Sequence, residues 1–436
     1  MQKRVALINP PSPFLIDERV FPNLGILYTA TAMKKEKFDV EVIDLCGVKN
    51  YKEVIENRSN DFDVFGFSST SSQFMYAYEL LKIVKKINPS AKTMIGGAHA
   101  SAISSLRRKN ILDKNIQTLE EFDLIIEGEA EFEFSKIFNQ NEKWQVLPVI
   151  KDLDLVPIPD RSFIDIKSYH YNLKNKDTTT IMTQRGCPFK CVFCSGRDID
   201  MYKKPRMNGA QRVLDEMDYL KNDFGYSSFM WFDDEINVNP IRLMELAKKL
   251  RKRDYSHRGF VRADLLVKHP ETPKILEEAG FKELCFGVES GSNKVLTKIN
   301  KGTSYEINLK AASLIKDTGL TLKVFGMIGF PEENYEDVML TKKWLLEANA
   351  DGFDFNILAP YPGSRIYDFA KPSSKFNGYD CEWNGLYFNK PDFSKVSSFY
   401  KGRPLEYNCL VRTDKLSAKD IINLRNSVEK EVREKN

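Results

Sequence analysis

The sequence predicts an α/β chain made of a doubly wound parallel sheet, an incomplete (β/α)6 barrel of TIM type, and a small irregular and helical region at the end. Three observations predict it. Short, continuous apolar segments alternate with helix-period segments over residues 1–145, as in a parallel sheet covered on both faces. A stretch with three prolines and little periodicity, 146–165, opens a linker that runs to residue 175. A second alternation of six strand-and-helix units then fills residues 176–365.

In the first unit the strand candidates are 4–9, 40–44, 63–68, 92–97 and 123–129, with helix-like segments such as 24–33 and 76–87 between them. Ligands of such sheets sit beyond the carboxyl ends of the strands. Those ends carry Asn9-Pro10-Pro11, Gly66 with Ser68 to Ser72, Gly96-Gly97-Ala98-His99, and Glu127-Gly128-Glu129. Any one of these loops reads as an ordinary strand end. Four on one edge point to a large ligand, because glycine lets backbone approach closely.

The barrel strands are expected at 179–186, 227–235, 258–264, 282–290, 320–329 and 352–360. Helical stretches separate them, for example 210–221, where Val213, Met217 and Leu220 share one face. Residues 366–436 are irregular and tyrosine-rich, finishing in a polar helix from about Ser417. Phe369, Trp383, Phe388 and Tyr400 each read first as core filling and second as ring-stacking groups for a substrate.

Composition narrows the function classes. The chain has 65 basic and 61 acidic residues, interspersed, for a net charge of +4. That gives no basic field of the kind nucleic-acid partners exploit, so none is expected. The basic runs 248–253 and 202–206 read as a solvated helix face and a surface loop. No apolar run is long enough to span a bilayer, no signal peptide is recognised, and seven cysteines make no secreted disulfide framework. A reducing, cytoplasmic setting is expected.

The strongest local signal is "QRGCPFKCVFC", residues 184–194, which gathers Cys187, Cys191 and Cys194 just after the first barrel strand. Three soft thiolates suit iron–sulfur or zinc coordination. Structural zinc wants four ligands in paired spacings, and no second pair is near. A four-iron cubane held by three cysteines leaves one iron open to an outside ligand.

This C-x3-C-x2-C stretch, with Phe193 before its last cysteine, resembles the signature of the radical S-adenosylmethionine (radical SAM) superfamily. The resemblance implies a 4Fe-4S cluster on the three cysteines and S-adenosylmethionine chelated to its open iron. It extends to "FDDEIN" (232–237), "VRAD" (261–264), "FGVESGS" (286–292), "GMIGFPEE" (326–333) and "APYPGS" (359–364). By that resemblance Phe193, Asp234, Glu235, Arg262, Asp264, Glu289, Ser290, Gly326, Ile328 and Pro360 border S-adenosylmethionine.

Residues 1–145 resemble the Rossmann-like, B12-binding domain of cobalamin-dependent radical SAM proteins. The matching pieces are "INPP" (8–11), "FPNLGILYTA" (21–30), "IGGAHAS" (95–101), "IIEGEAE" (125–131) and the linker's "VPIPDR" (156–161). This implies cobalamin beside Asn9, Pro10, Gly25, Gly66, Ser68, Ser69, Gly96, Gly97, His99, Gly128 and Glu129. The D-x-H-x-x-G motif that supplies a cobalt-ligating histidine in many B12 enzymes is absent. His99, the one histidine of the expected site, reads as a loop histidine bonded to nearby backbone. The cobalt's lower face is then free of histidine, or the domain has lost cobalamin and kept its fold.

The family implies methylation of an unactivated carbon through a 5′-deoxyadenosyl radical and methylcobalamin. It also implies a small-molecule or natural-product substrate and an external electron donor of flavodoxin or ferredoxin type. Cyclisation, rearrangement, and radical SAM chemistry without B12 are the enzymatic alternatives. An iron–sulfur electron carrier or B12 sensor is the non-enzymatic one. A methylthiotransferase is excluded because the N-terminal unit offers only Cys46, and an auxiliary-cluster maturase because Cys381 and Cys409 are too few. Cys285 sits in an apolar strand and reads as core, and no residue stands out as a catalytic base.

Overall fold

The computed structural model describes residues 3–132, 134–397 and 407–435, so Tyr400 lies outside the described residues. The first sheet comprises β1 (Arg4–Asn9), β2 (Asp39–Asp44), β3 (Val64–Ser68), β4 (Lys92–Gly96), β5 (Leu124–Glu127) and β6 (Trp144–Val146). All six strands are parallel, in the order β2-β1-β3-β4-β5-β6. Val5 and Leu7 of β1 pack into one core and Ala6 and Ile8 into another. Both faces are therefore dry, which is why the strand is apolar throughout rather than alternating. Helices α1 (Leu24–Lys35), α2 (Tyr51–Arg58), α3 (Phe74–Ile87) and α4 (Gly97–Arg108) belong to this unit. Asn23 starts α1 by accepting from the Ile26 amide at 3.3 Å. β6 was not expected: three residues are too few to show a period, and pairing with β5 makes them a strand.

The second sheet is formed by β7 (Tyr171–Leu173), β8 (Lys176–Ile181), β11 (Ser228–Trp231), β12 (Ser256–Phe260), β13 (Phe281–Glu289), β14 (Thr321–Ile328) and β15 (Gly352–Ile357). Its order is β15-β14-β13-β12-β11-β8-β7, six parallel strands plus antiparallel β7, which gives an open half-barrel. A two-residue ribbon, β9 (Gln184–Arg185) with β10 (Arg206–Met207), stands apart from it. The expected strand 179–186 thus breaks in two. The Asp233 carboxylate accepts from the Thr183 and Gln184 amides and replaces ladder partners there.

The stretch after the first sheet is pinned to the barrel by Arg161. Its fully buried guanidinium donates to the Thr180 carbonyl at 2.9 Å and pairs with Glu216 at 3.1 Å. The carboxy-terminal region is less irregular than expected. β16 (Lys371–Pro372), β17 (Cys381–Trp383), β18 (Leu386–Phe388) and β19 (Val411–Thr413) form an antiparallel sheet of strands too short to carry a pattern. Phe388 is buried, Trp383 half-buried, and Phe369 exposed. The final helix, Ala418–Lys435, buries Ile421, Arg425, Val428 and Val432, a stripe spaced four, three and four. Among the described residues no helix is long and apolar enough to cross a membrane.

Candidate active site

The cysteine loop is held from four sides. Gly186, immediately before it, adopts φ +85°, and a Cβ there would lie 2.5 Å from the Lys204 carbonyl oxygen. Only glycine fits that approach. The Cys187 amide donates to the Tyr202 carbonyl at 3.1 Å, and Arg197 donates to the Cys187 carbonyl at 2.6 Å. On either side of Cys191, the Val192 amide donates to Ile299 O at 3.0 Å and Asn300 donates to Lys190 O at 2.9 Å. Cys191 is buried, Cys187 and Cys194 are half-buried, and all three thiols are free. Burial pushes the Cys194 thiol up to about 12, against the pull of the Arg197 guanidinium.

Cys187, Cys191 and Cys194 are three free thiols on one loop, a soft donor set that suits a cubane, one thiolate to each of three irons.

A cavity of about 270 Å³ opens between the two sheets. On one side it meets the carboxyl edge of the first sheet at Gly25, Gly66, Ser68, Gly96, Gly97 and Gly128, at the β1/β3 boundary where the strand order reverses and beyond it. On the other side it meets Gln184, Arg185, Gly186, Tyr202, Phe232 and Asp234, which abut the cysteine loop. Its depth is a cradle that side chains would fill. A Cβ on Gly66 would sit 2.7 Å from Leu7 Cδ2, and one on Gly97 3.1 Å from Ser69 N. Gly97 and Gly128 have φ +87° and +109°. Arg185 pairs with Glu129 at 2.9 Å and with Glu131 at 2.6 Å, and Arg206 holds the other oxygen of Glu129. Glu131 Oε2 is buried without a partner, and burial raises its carboxyl above the usual range.

The structure brings seven of the eleven positions expected for cobalamin to this cavity: Gly25, Gly66, Ser68, Gly96, Gly97, Gly128 and Glu129. The other four are not among its lining residues, although Ser69 N lies directly behind Gly97. Asn9 is buried and bonded to Asp44 and Cys46, and the Pro10 carbonyl accepts from Gln73. The Ser69 carbonyl accepts from the His99 amide. His99 is no loop residue: it lies in the first turn of α4, stacked on Phe74 at 4.2 Å with Nδ1 3.0 Å from Ser71 Oγ. Burial holds its imidazole down to about 3, hence neutral.

The positions expected for S-adenosylmethionine fall into three groups around the strand ends. Asp234 faces the large cavity. Glu235, Arg262 and Asp264 enclose, with Lys301, a polar void of about 10 Å³, room for a single water. Arg262 donates to Asp264 at 2.7 Å and lies 3.5 Å over the ring of Phe189 in the cysteine loop. Burial drives the Glu235 carboxyl up to about 7, against the pull of Lys301 and Arg262, and its Oε2 has no partner. Glu289, at φ +59°, pairs with Lys301 at 2.7 Å. Phe193 lines a third cavity of about 180 Å³, with Met327, Asn356 and Tyr361 from the β14 and β15 ends. Gly326 lies in β14, where a Cβ would meet the Phe355 ring at 3.1 Å. Ser290 is buried against Thr341, Ile328 ends β14 in the core, and Pro360 is buried just beyond β15.

Arg185, Arg197 and Lys301 border this site and were not singled out from the sequence, and the run 202–206, read as a surface loop, instead brings Tyr202 to the cavity and Arg206 to Glu129. Arg185 and Arg197 flank the cysteines and were legible by proximity. Lys301, more than a hundred residues away, carried no signal beyond the turn residues Asn300 and Gly302 around it.

Comparison with known proteins agrees with this architecture. The family model described as Radical SAM superfamily matches residues 181–345, and that described as B12 binding domain matches residues 18–131. An uncharacterized methyltransferase of Pyrococcus horikoshii is 27% identical over 392 residues, 84% of this chain and 83% of that protein. The anaerobic magnesium-protoporphyrin IX monomethyl ester cyclase of Rubrivivax gelatinosus is 24% identical, over 73% of this chain and 60% of its own length. Among solved structures, the radical S-adenosylmethionine methyltransferase TsrM from Kitasatospora setae, with cobalamin and a 4Fe-4S cluster bound, superposes with a TM-score of 0.68 at 14% identity. It covers 98% of this chain and 91% of that one. With both family models matched in order, over the sheet and the half-barrel that frame one cavity, the chain belongs to the radical SAM enzymes that carry a B12-binding domain.

Proposed function

We propose that this protein is a cobalamin-dependent radical SAM methyltransferase that modifies an unactivated carbon of a small molecule. One observation carries the reading: a single cavity is lined by the glycine edge of the first sheet and by the residues that abut the cysteine loop. When bound, the cluster with S-adenosylmethionine supplies a 5′-deoxyadenosyl radical and cobalamin supplies the methyl group. The relative aligned over 84% of the chain is named a methyltransferase, which favours methyl transfer.

The chain's own residues hold and shield that chemistry. Cys187, Cys191 and Cys194 would each take one iron. Asp234, Glu235, Arg262, Asp264 and Glu289 would bind the polar end of S-adenosylmethionine, with Phe193, Ser290, Gly326, Ile328 and Pro360 bordering the rest. Gly66, Gly96, Gly97 and Gly128 keep open the space for cobalamin, and no histidine is among the residues lining that cavity. Tyr28, Tyr202 and Phe232 line the gap between the sheets and would shield it from water once the cofactors fill it. Arg185 balances Glu129 and Glu131, so the polar wall of the cavity is not left with two unpaired carboxylates. In this reading residues 1–145 bind cobalamin, 176–365 form the radical SAM barrel and 366–436 cap it. A cytoplasmic setting and a flavodoxin- or ferredoxin-like electron donor follow from the need to keep the cluster reduced.

The test is anaerobic reconstitution with iron, sulfide and hydroxocobalamin, then dithionite, methyl-labelled S-adenosylmethionine and cell extract. The expected result is 5′-deoxyadenosine, S-adenosylhomocysteine and a labelled small molecule by mass spectrometry. Deoxyadenosine with no S-adenosylhomocysteine would replace methylation by cyclisation or rearrangement. Neither product would leave a binding module.

A further inference from the structure

The short loop Ile299–Gly302, between the helix Asn293–Lys298 and the helix Tyr305–Lys316, touches every part of the polar site at once. Toward the cysteines, its Ile299 carbonyl accepts from Val192 N at 3.0 Å and its Asn300 amide donates to Lys190 O at 2.9 Å. These two bonds bracket Cys191. Toward β12, the Lys301 carbonyl accepts from Arg262 Nη2 at 2.5 Å. Toward β13, Lys301 Nζ pairs with Glu289 Oε1 at 2.7 Å, and both side chains are about a tenth exposed or less. A Cβ on Gly287 would lie 3.0 Å from that ammonium, so the strand leaves room for it by having none. Asn300 and Gly302 have φ +53° and +72°, which turns the loop sharply enough to reach all three partners.

A lysine is seldom buried unless it is paired. Here the pairing partner, Glu289, itself sits in the left-handed region at φ +59°, where glutamate is uncommon. One sparsely populated backbone conformation and one desolvated ion pair are thus maintained at a single point. Backbone strain of this kind persists only where surrounding contacts over-determine it.

We infer that Lys301 is a positioning residue. Its ammonium fixes the Glu289 carboxylate, and its loop locks the cysteine loop and Arg262 to the ends of β12 and β13, so that cluster and S-adenosylmethionine groups keep one register. The inference rests on the radical SAM reading above. Because the ammonium is paired with Glu289 and also interacts electrostatically with Cys191, its loss leaves Glu289 uncompensated near the cluster and disfavours the negative charge gained on reduction.

The test compares wild type, Lys301→Met, Lys301→Arg and Asn300→Gly after anaerobic reconstitution. It measures iron per chain, cluster midpoint potential, and the S-adenosylmethionine concentration that half-saturates the change in the reduced cluster's paramagnetic resonance spectrum. Lys301→Met is expected to raise that concentration roughly 10- to 100-fold, the range for removing a group that orients ligands, and to move the midpoint to more negative potential. Lys301→Arg should restore the midpoint and most of the affinity. Asn300→Gly keeps the left-handed backbone, loses the bond to Lys190, and should weaken the S-adenosylmethionine response at unchanged potential. A Lys301→Met protein equal to wild type in both readouts, or an arginine variant as impaired as the methionine one, overturns the inference. If Lys301→Met does not fold, Asn300→Gly decides: a wild-type response in it overturns the coupling. A wild type that never responds to S-adenosylmethionine overturns the radical SAM reading instead.

Discussion

Gly186 offers a sharp quantitative test, because Gly225 provides its control. Both adopt left-handed backbone, at φ +85° and +77°. Around Gly225, which ends the helix Ala210–Phe224, a Cβ would meet nothing within 4 Å. Around Gly186 it would meet Lys204 O at 2.5 Å and Tyr202 O at 3.1 Å, both backbone atoms. Gly225→Ala should therefore cost the conformational penalty alone, about 1–2 kcal/mol. Gly186→Ala adds a collision that forces β9 and β10 apart and breaks the bond from Cys187 N to Tyr202 O, worth about 1 kcal/mol. Its total should reach about 3 kcal/mol. The collision also falls one residue before the first cysteine. Denaturant midpoints of the two reconstituted variants give the stability difference, and iron per chain after desalting gives the local effect. Gly225→Ala should keep its iron and Gly186→Ala should lose much of it. Equal stability losses and equal iron contents would refute the reasoning that Gly186 positions the cysteine loop.

Replacing Cys187, Cys191 or Cys194 by alanine should each abolish the charge-transfer absorbance of the cluster, while alanine at Cys46, Cys285, Cys381 or Cys409 should retain it. Gly97→Ala places a methyl group 3.1 Å from Ser68 Oγ and Ser69 N at φ +87°; it should weaken cobalamin retention on a desalting column roughly tenfold, a penalty of ~1–2 kcal/mol, and leave iron content unchanged. Glu333 tests the carboxyl that caps the turn after β14. Burial pushes it up to about 8, although the Gly329 and Phe330 amides donate to it and favour the anion. Between an ordinary glutamate's pKa of 4.5 and that value the folded chain keeps a proton that the unfolded chain has released, so stability falls as pH rises through the window. Glu333→Gln removes this term, and its melting temperature should gain on wild type between about pH 5 and about pH 8; parallel profiles would contradict the assignment.

The legible parts of the fold were those where periodicity is long. β13 and β14, with nine and eight residues, were long enough for their apolar positions to show, and β1, buried on both faces, announced itself as a continuous apolar run. β6, β7 and the four carboxy-terminal strands, of two or three residues each, did not. Such strands exist because a partner edge is present, and a partner edge is a non-local fact. Of the glycines expected along the first sheet's edge, Gly97 and Gly128 adopt positive φ and Gly66 meets a close approach, whereas Gly186 was not singled out. His99 read less well: a histidine after two glycines looks like loop, but the chain enters α4 at once and folds the ring against Phe74.

The sequence alone determined the chemistry on offer: three thiolates at a spacing that matches one cubane, glycines along one sheet edge, and acidic and basic groups at successive strand ends. Those are properties of local spacing, and local spacing survives without a fold. Tertiary structure decided which of these groups meet. It drew Arg185 toward two glutamates of the other unit, sent His99 into the core, and brought the loop of Lys301 against both neighbours of Cys191 from more than a hundred residues away. Such meetings depend on how strands order and loops close. A buried charge has to find its partner wherever packing leaves one, and the linear chain holds no record of that distance.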